Sequence, residues 1–198
     1  MRYNGIEIAE KKATALVNPA VKPMTADEYF ARPETMLPEQ LLDGELIMSP
    51  APTFAHQVAS RNLLNLVQAL IPNGDVFYSP VDIWLDERNV VQPDLFWLAG
   101  SSRCQLIKGR LFGPPELVVE ILSPGTERYD RSRKFNLYET HGVPEYWIVD
   151  LDVRAVEVWS LQNGVYERLG NFLSGSSFES PALGGQRVET APIFPPAE

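Results

Sequence analysis

Two carboxylates sit where the residues around them leave room only for apolar side chains. Val90, Val91, Gln92, Pro93, Asp94, Leu95, Phe96, Trp97 and Leu98 make one strand-like run, and Pro115, Glu116, Leu117, Val118, Val119, Glu120, Ile121 and Leu122 make another. Near-continuous apolar runs bounded by Gly and Pro are the pattern of strands covered on both faces of a sheet. Alternate side chains of a strand share a face, so Glu120 points with Val118 and Leu122. An ionised carboxylate buried there costs several kcal/mol, as an order of magnitude, unless it is paired, hydrogen-bonded or bound to a metal. Asp94 and Glu120 on neighbouring strands would also repel each other. A divalent cation between them removes both difficulties, which makes this pair the candidate metal site.

The 198 residues, 44% of them apolar, suffice for about one domain with a sizeable core. The expected organisation is a loosely ordered leader over 1–22, a single domain over 23–194 and a frayed end over 195–198. No run approaches the ~20 apolar residues that span a bilayer, and Glu7, Glu10, Lys11 and Lys12 are too charged for a signal-peptide core, so a cytoplasmic protein with no membrane partner is expected. The one cysteine, Cys104, excludes an internal disulfide framework and a multi-cysteine zinc site.

A net charge of −9 opposes general nucleic-acid binding. Its distribution softens the objection. Between Arg103 and Lys134 seven basic residues face four acids, so this segment is +3 and the remainder −12. Either a basic rim beside an acidic body or an ordinary solvated loop and helix face fits that pattern.

Along the chain, Thr25-Ala26-Asp27-Glu28 fits a capping box that opens a short helix ended by Pro33. Asp43-Gly44 marks a hairpin turn, with Glu45 opening the second strand. A helix over about 53–71 follows, with Ala59, Leu63, Leu66, Val67 and Leu70 as its buried stripe. His56 lies in its first turn, where the helix N-terminus disfavours the imidazolium; capping or packing is its ordinary role. Val76 to Leu85 reads as a strand in a hairpin with the run from Val90, and 98–113 as a polar loop. A helix is expected from Glu127 or Asp130 to His141, ended by Gly142, with Asp130, Lys134 and Tyr138 on one face. Strands over 143–149, 155–161 and 165–169 precede loops and short edge strands.

Several of these segments together resemble a known family. Asp43-Gly44-Glu45-Leu46 with Ser49-Pro50, His56-Gln57, Gln92-Pro93-Asp94-Leu95, Leu117 to Pro124, Asp130 with Lys134 and Tyr138, and Gly142 to Asp150 occur in that order. The set resembles the Uma-type restriction endonuclease family, formerly a domain of unknown function, within the PD-(D/E)XK nuclease superfamily. The resemblance implies an α/β (α+β) restriction-endonuclease-like core, a mixed β-sheet flanked by helices. It also implies Mg²⁺ (or Mn²⁺ in its place) on Asp94 and Glu120, with the backbone carbonyl of Ile121 as a third ligand. The superfamily pattern carries a lysine two residues after the second acid, where this chain has Leu122. By the resemblance Lys134 supplies the catalytic cation instead, Tyr138 positions it, and Glu45 and His56 are auxiliary. Relatives commonly carry an acid at the position of Gln40, which weighs against a second metal ion. The function implied is a Mg²⁺-dependent endonuclease acting on DNA as a homodimer. A non-catalytic nucleic-acid-binding or interaction module, and a hydrolase of another phosphoester, are the alternatives.

Overall fold

The computed structural model of the chain describes residues 22–33, 38–125 and 127–196. Apart from Lys22, the leader expected over 1–22 therefore lies outside the described residues, as do 197 and 198. Pro195, expected to fray, accepts a hydrogen bond at its carbonyl from Arg154 Nη1 at 2.8 Å.

Helix α1 (Ala26–Phe30) starts with the capping box: Thr25 accepts from the Glu28 N–H, and Glu28 accepts from the Thr25 N–H at 2.8 Å. Strands β1 (Glu39–Leu42) and β2 (Glu45–Met48) form the hairpin over Asp43-Gly44, both at positive φ (54° and 78°). Helix α2 (Phe54–Leu70) is capped by Thr53 and buries Ala59, Leu63 and Val67.

The next stretch departs from the expected hairpin of two long strands. Both strands break at a proline, giving β3 (Asp75–Tyr78) and β4 (Ile83–Asp86) around Pro80, and β5 (Asn89–Val91) and β6 (Leu95–Leu98) around Pro93. Proline has no N–H to give to a ladder, and at each break the chain passes from one sheet to another. Thus β4 pairs with β5 in one sheet and β3 with β6 in the other. The expected loop over 98–113 also contains a small hairpin, β7 (Gln105–Ile107) and β8 (Arg110–Phe112), turned by Lys108 and Gly109 at φ 50° and 81°. Its apolar positions are too few for a period-2 pattern to show.

Strand β9 (Leu117–Ile121) leads into a helical crossover: α3 (Glu127–Tyr129), a π-helical turn (Asp130–Lys134) and α4 (Phe135–His141), closed by Gly142 at φ 76°. Then come β10 (Glu145–Asp150), β11 (Ala155–Gln162), β12 (Val165–Leu173), β13 (Ser177–Ser180), β14 (Gln186–Glu189) and a 3-10 turn (Ala191–Ile193).

The first sheet runs β2-β1-β5-β4-β8-β7, the second β12-β11-β10-β9-β6-β3, and β13-β14 form a ribbon. The second sheet is mixed, because the crossover makes β9 and β10 parallel among antiparallel neighbours. Leu63 and Val67 of α2 pack against Trp97, Val119 and Trp147 on one face. Leu137 and Tyr138 of α4 pack with Phe96, Val118, Tyr146 and Ile148 on the other. This is an α+β core with a mixed sheet flanked by helices, and its centre, β6-β9-β10, carries Glu120 on β9 and Asp94 just ahead of β6.

Candidate functional site

Asp94 lies in the break after Pro93 and not within a buried strand, as the apolar run had suggested. Its side chain keeps about 20% of its surface. The β6–β9 register, with Leu95 opposite Val119, continues to place Asp94 opposite Glu120. Asp94 Oδ2 accepts the Ile121 N–H at 2.7 Å, and His56 Nε2 from the first turn of α2 lies 3.2 Å from the same oxygen.

Glu120 is buried among Val118, Ile148 and Tyr146, on the sheet face that the crossover covers. The crossover supplies both of its donors. Lys134 Nζ donates to Glu120 Oε1 at 2.9 Å and Tyr138 Oη donates to the same oxygen at 2.7 Å. Lys134 Nζ also lies 3.1 Å from Asp130 Oδ1, one turn earlier. The π winding of Asp130–Lys134 keeps Asp130, Lys134 and Tyr138 turned to the sheet, and such turns recur at functional sites. Leu122, where the superfamily lysine would stand, packs with the apolar residues of that face.

One ammonium is therefore shared between two carboxylates, Glu120 and Asp130, with the charge of Asp94 acting on it from nearby. Burial pushes the Glu120 carboxyl up to about 8; Lys134 opposes that rise, and Asp130 and Asp94 add to it. Burial also works against the charge on Lys134, but the same carboxylates outweigh it and hold the amine above the ordinary lysine range. The two shifts agree physically: Lys134 stays charged, and a proton taken up by the excess of negative charge goes to Glu120. Burial and Glu120 together raise the Tyr138 phenol well above its usual range. For His56 burial disfavours the imidazolium, yet Asp94 and Glu120 overcome burial and raise its pKa. The direction is opposite to the one expected from its position in the first turn of α2.

His56, Asp94, Glu120 and Lys134 line a cleft of about 1200 Å³, bounded by the N-terminal half of α2, Tyr78 to Pro80 and Leu122 to Gly125. Glu45 is not brought there. It is exposed and pairs with Arg133 Nη1 at 2.6 Å. Gln40 is brought there, 3% exposed, with its Oε1 unpartnered. The basic rim does not form at the cleft. Arg131 is spent on Glu127 and Glu157 (3.0 Å each), Arg133 on Glu45 and Lys134 on the buried acids, while Arg103 bonds the Gly142 carbonyl and Arg110 lies over Phe30. Tyr78 and Ser79 line the cleft without any signal in the sequence, because only the β3–β6 pairing carries them to Asp94.

Among the described residues no three His, Cys, Asp or Glu side chains converge as a complete metal cage. The donors that face the cleft near one another are the carboxylates of Asp94 and Glu120. Two carboxylates suit a hard cation that keeps much of its water, as Mg²⁺ does, and do not suit structural zinc. The buried Gln40 Oε1 is an acceptor that such a hydrated cation would satisfy.

The profile of the Uma2 family, described as "Putative restriction endonuclease", matches residues 26–191. The chain belongs to the Uma2 family. The Uma2 match spans every side chain that meets in the cleft at Asp94 and Glu120. The chain is also similar to the uncharacterized protein sll1609 of Synechocystis sp., 26% identical over 140 residues that make up 68% of this chain and 79% of that protein. Its fold resembles a crystal structure described as a putative nuclease belonging to DUF820 from Anabaena variabilis. The TM-score is 0.72 at 20% identity, covering 87% of this chain and 98% of that one. Membership and fold together support a nuclease in general terms. No helix among the described residues is long and apolar enough to cross a membrane.

Proposed function

We propose that this Uma2 protein hydrolyses phosphodiester bonds of DNA with Mg²⁺ held between Asp94 and Glu120. The observation that carries the reading is the meeting of Asp94, Glu120 and Lys134 at one cleft from three separate segments, with an excess of carboxylate over ammonium. Mg²⁺ bound there would activate a water and offset charge at the phosphorus. Asp94 is held for that task by the Ile121 N–H and His56, which fix Oδ2. The Ile121 carbonyl is the third ligand in this reading. Glu120 accepts from Lys134 and Tyr138 at the same oxygen, Oε1, which orients the carboxylate. Lys134 takes the role that Leu122 cannot fill. Its ammonium, fixed by Glu120 and Asp130 and steadied by Tyr138 on the shared oxygen, stabilises charge on a phosphate oxygen. His56, beside Asp94, accepts or returns a proton at Nε2. Restriction-like cores that cut both strands commonly act as pairs, and a homodimer is part of the proposal.

The test is Mn²⁺ binding by calorimetry, with Asp94→Asn and Glu120→Gln alongside, followed by nicking of supercoiled DNA. Saturable binding lost in both variants, with nicking lost in Lys134→Met, is the expected result. Wild-type protein that binds no Mn²⁺ and leaves the plasmid intact would return the weight to a non-catalytic module.

A further inference from the structure

We infer that the β7–β8 hairpin is an arm that holds duplex DNA beside the cleft, with Lys108 and Arg110 on backbone phosphates and Leu106 and Ile107 against the groove. This rests on the phosphodiesterase reading above and adds the surface by which its substrate is held. A duplex is bound largely through Lys and Arg that neutralise its phosphates. The cleft by itself supplies few of these. Its lining carries five carboxylates, including Glu127, Asp150 and Asp152, against Arg61 and Lys134. Lys134 is already held by Glu120 and Asp130, and Arg131 and Arg133 of the crossover are held by acids of the same chain.

The hairpin is built differently. Every residue from Gln105 to Arg110 is exposed. Among the described residues neither Lys108 nor Arg110 has an acid within 4 Å, in a chain whose net charge is −9. Arg110 lies with its Cζ 4.0 Å from the centre of the Phe30 ring. A guanidinium packed on a ring keeps its N–H fork for a bidentate phosphate contact. Lys108 is in the turn itself, next to Gly109, where a Cβ would meet nothing within 4 Å. Leu106 keeps 71% of its surface and Ile107 47%, and the ladder sets Ile107 beside Arg110 on one face of the ribbon and Leu106 on the other. Exposed apolar groups gathered in one place mark a binding surface, whereas scattered ones need no explanation.

The fold puts this tip at the end of the first sheet that opens on the cleft. Strand β8 runs parallel to β4 with Leu111 beside Ile83, so Arg110 comes level with Asp82. The Arg110 charge there opposes the rise that burial imposes on the Asp82 carboxyl. Asp82 Oδ1 also accepts from Gln92 Nε2 at 2.9 Å, and Gln92 lines the cleft two residues before Asp94. At the same end β1 presents Gln40 and β2 gives way to Ser49 and Pro50, all on the cleft wall. Strand β8 is two places from β5, which ends just before Gln92, so about 10 Å separates them at the usual strand spacing. A duplex advances about 3.4 Å per base pair, so the arm reaches backbone about three base pairs from this wall of the cleft. A two-stranded ribbon is of a width that the major groove admits, and apolar side chains there meet thymine methyl groups. A single strand has no groove for it to enter.

The experiment is fluorescence anisotropy across a range of salt, on the full chain, with Ca²⁺ replacing Mg²⁺ to suppress turnover. The probes are a labelled duplex of about 20 base pairs, roughly two helical turns, and one of its strands alone. The duplex should bind more tightly than the single strand. Lys108→Gln and Arg110→Gln should each lower the slope of log K against log salt by about 0.9, and the double variant by about 1.8, one phosphate contact being lost at each residue. Arg88→Gln removes the same charge from the exposed β4–β5 turn at the opposite end of the sheet and should leave the slope unchanged. Leu106→Ala combined with Ile107→Ala should weaken duplex binding with the slope unchanged. All of these variants should take up Mn²⁺ in calorimetry as wild type does. An unchanged slope in the double variant, an equal loss in Arg88→Gln, unchanged binding by the apolar variant, or a single strand held as tightly as the duplex would overturn the inference. So would failure of the duplex to bind protein that takes up Mn²⁺ normally, which would make the arm a protein contact. Duplex binding that needs Lys108 and Arg110 in a protein that takes up no Mn²⁺ would uphold the arm and sink the phosphodiesterase reading alone.

Discussion

Glu120→Gln should make the metal-free protein more stable at neutral pH. The carboxylate is buried under Tyr138 and Tyr146 with too little positive charge around it, and its pKa rises from 4.5 to about 8. A folded-state pKa above the unfolded one favours the protonated form. The associated stability is fully present below about pH 4.5 and disappears as pH rises through about 8. At about 1.4 kcal/mol per pH unit, the loss between pH 4.5 and 7 is on the order of 3 kcal/mol. Glutamine keeps the geometry. Its amide oxygen in the place of Oε1 still accepts from Lys134 Nζ and Tyr138 Oη, and Lys134 retains Asp130. Against the gain stands the fit of an amide N–H₂ in place of the protonated carboxyl O–H, about 1 kcal/mol. The net expectation is a variant more stable by about 1–2 kcal/mol at pH 7, with a flatter stability profile between pH 5 and 8. Urea denaturation in EDTA at three pH values measures both quantities. A variant less stable than wild type at pH 7, or one whose stability falls with pH as steeply as the wild type's, would refute the reasoning.

Lys134→Met leaves Glu120 and Asp130 buried without their cation and should cost about 3–5 kcal/mol in EDTA, with Mn²⁺ restoring part of the loss; urea titrations with and without the metal read both effects. Glu145 accepts Trp147 Nε1 and Ser180 Oγ at Oε1 and the Ala182 N–H at Oε2. Glu145→Gln must turn an amide N–H₂ toward one of these donors, and a loss of about 1–3 kcal/mol is expected in denaturant titrations. Gly74 and Gly164 share a positive φ (78° and 83°), but a Cβ at Gly74 would meet the Leu98 carbonyl oxygen at 1.9 Å, while one at Gly164 meets nothing within 4 Å. Gly164→Ala should cost about 1–2 kcal/mol, the strain of the left-handed region alone, and Gly74→Ala clearly more. Equal melting temperatures for the two variants would contradict this.

The fold class, most of the element order and the family were legible in the residues alone, because these rest on local regularities. The capping box at Thr25, the turn at Asp43-Gly44 and the apolar stripe of α2 are written in neighbouring residues, and each appears where it was read. The acids stood out for the same reason, as charges inside apolar runs. Which groups those acids meet depends on how distant segments fold back onto them. Period and composition report that a face is buried, not what covers it. That Lys134 and Tyr138 share one oxygen of Glu120 follows from a crossover folding back 14 and 18 residues later. That Arg131 and Arg133 of the crossover are spent on acids follows from partners 26 and 88 residues away, Glu157 and Glu45. The separation of one apparent hairpin into two sheets at Pro80 and Pro93 likewise depended on which strands stood ready to pair on either side. That separation brings Tyr78 and Asp94 together.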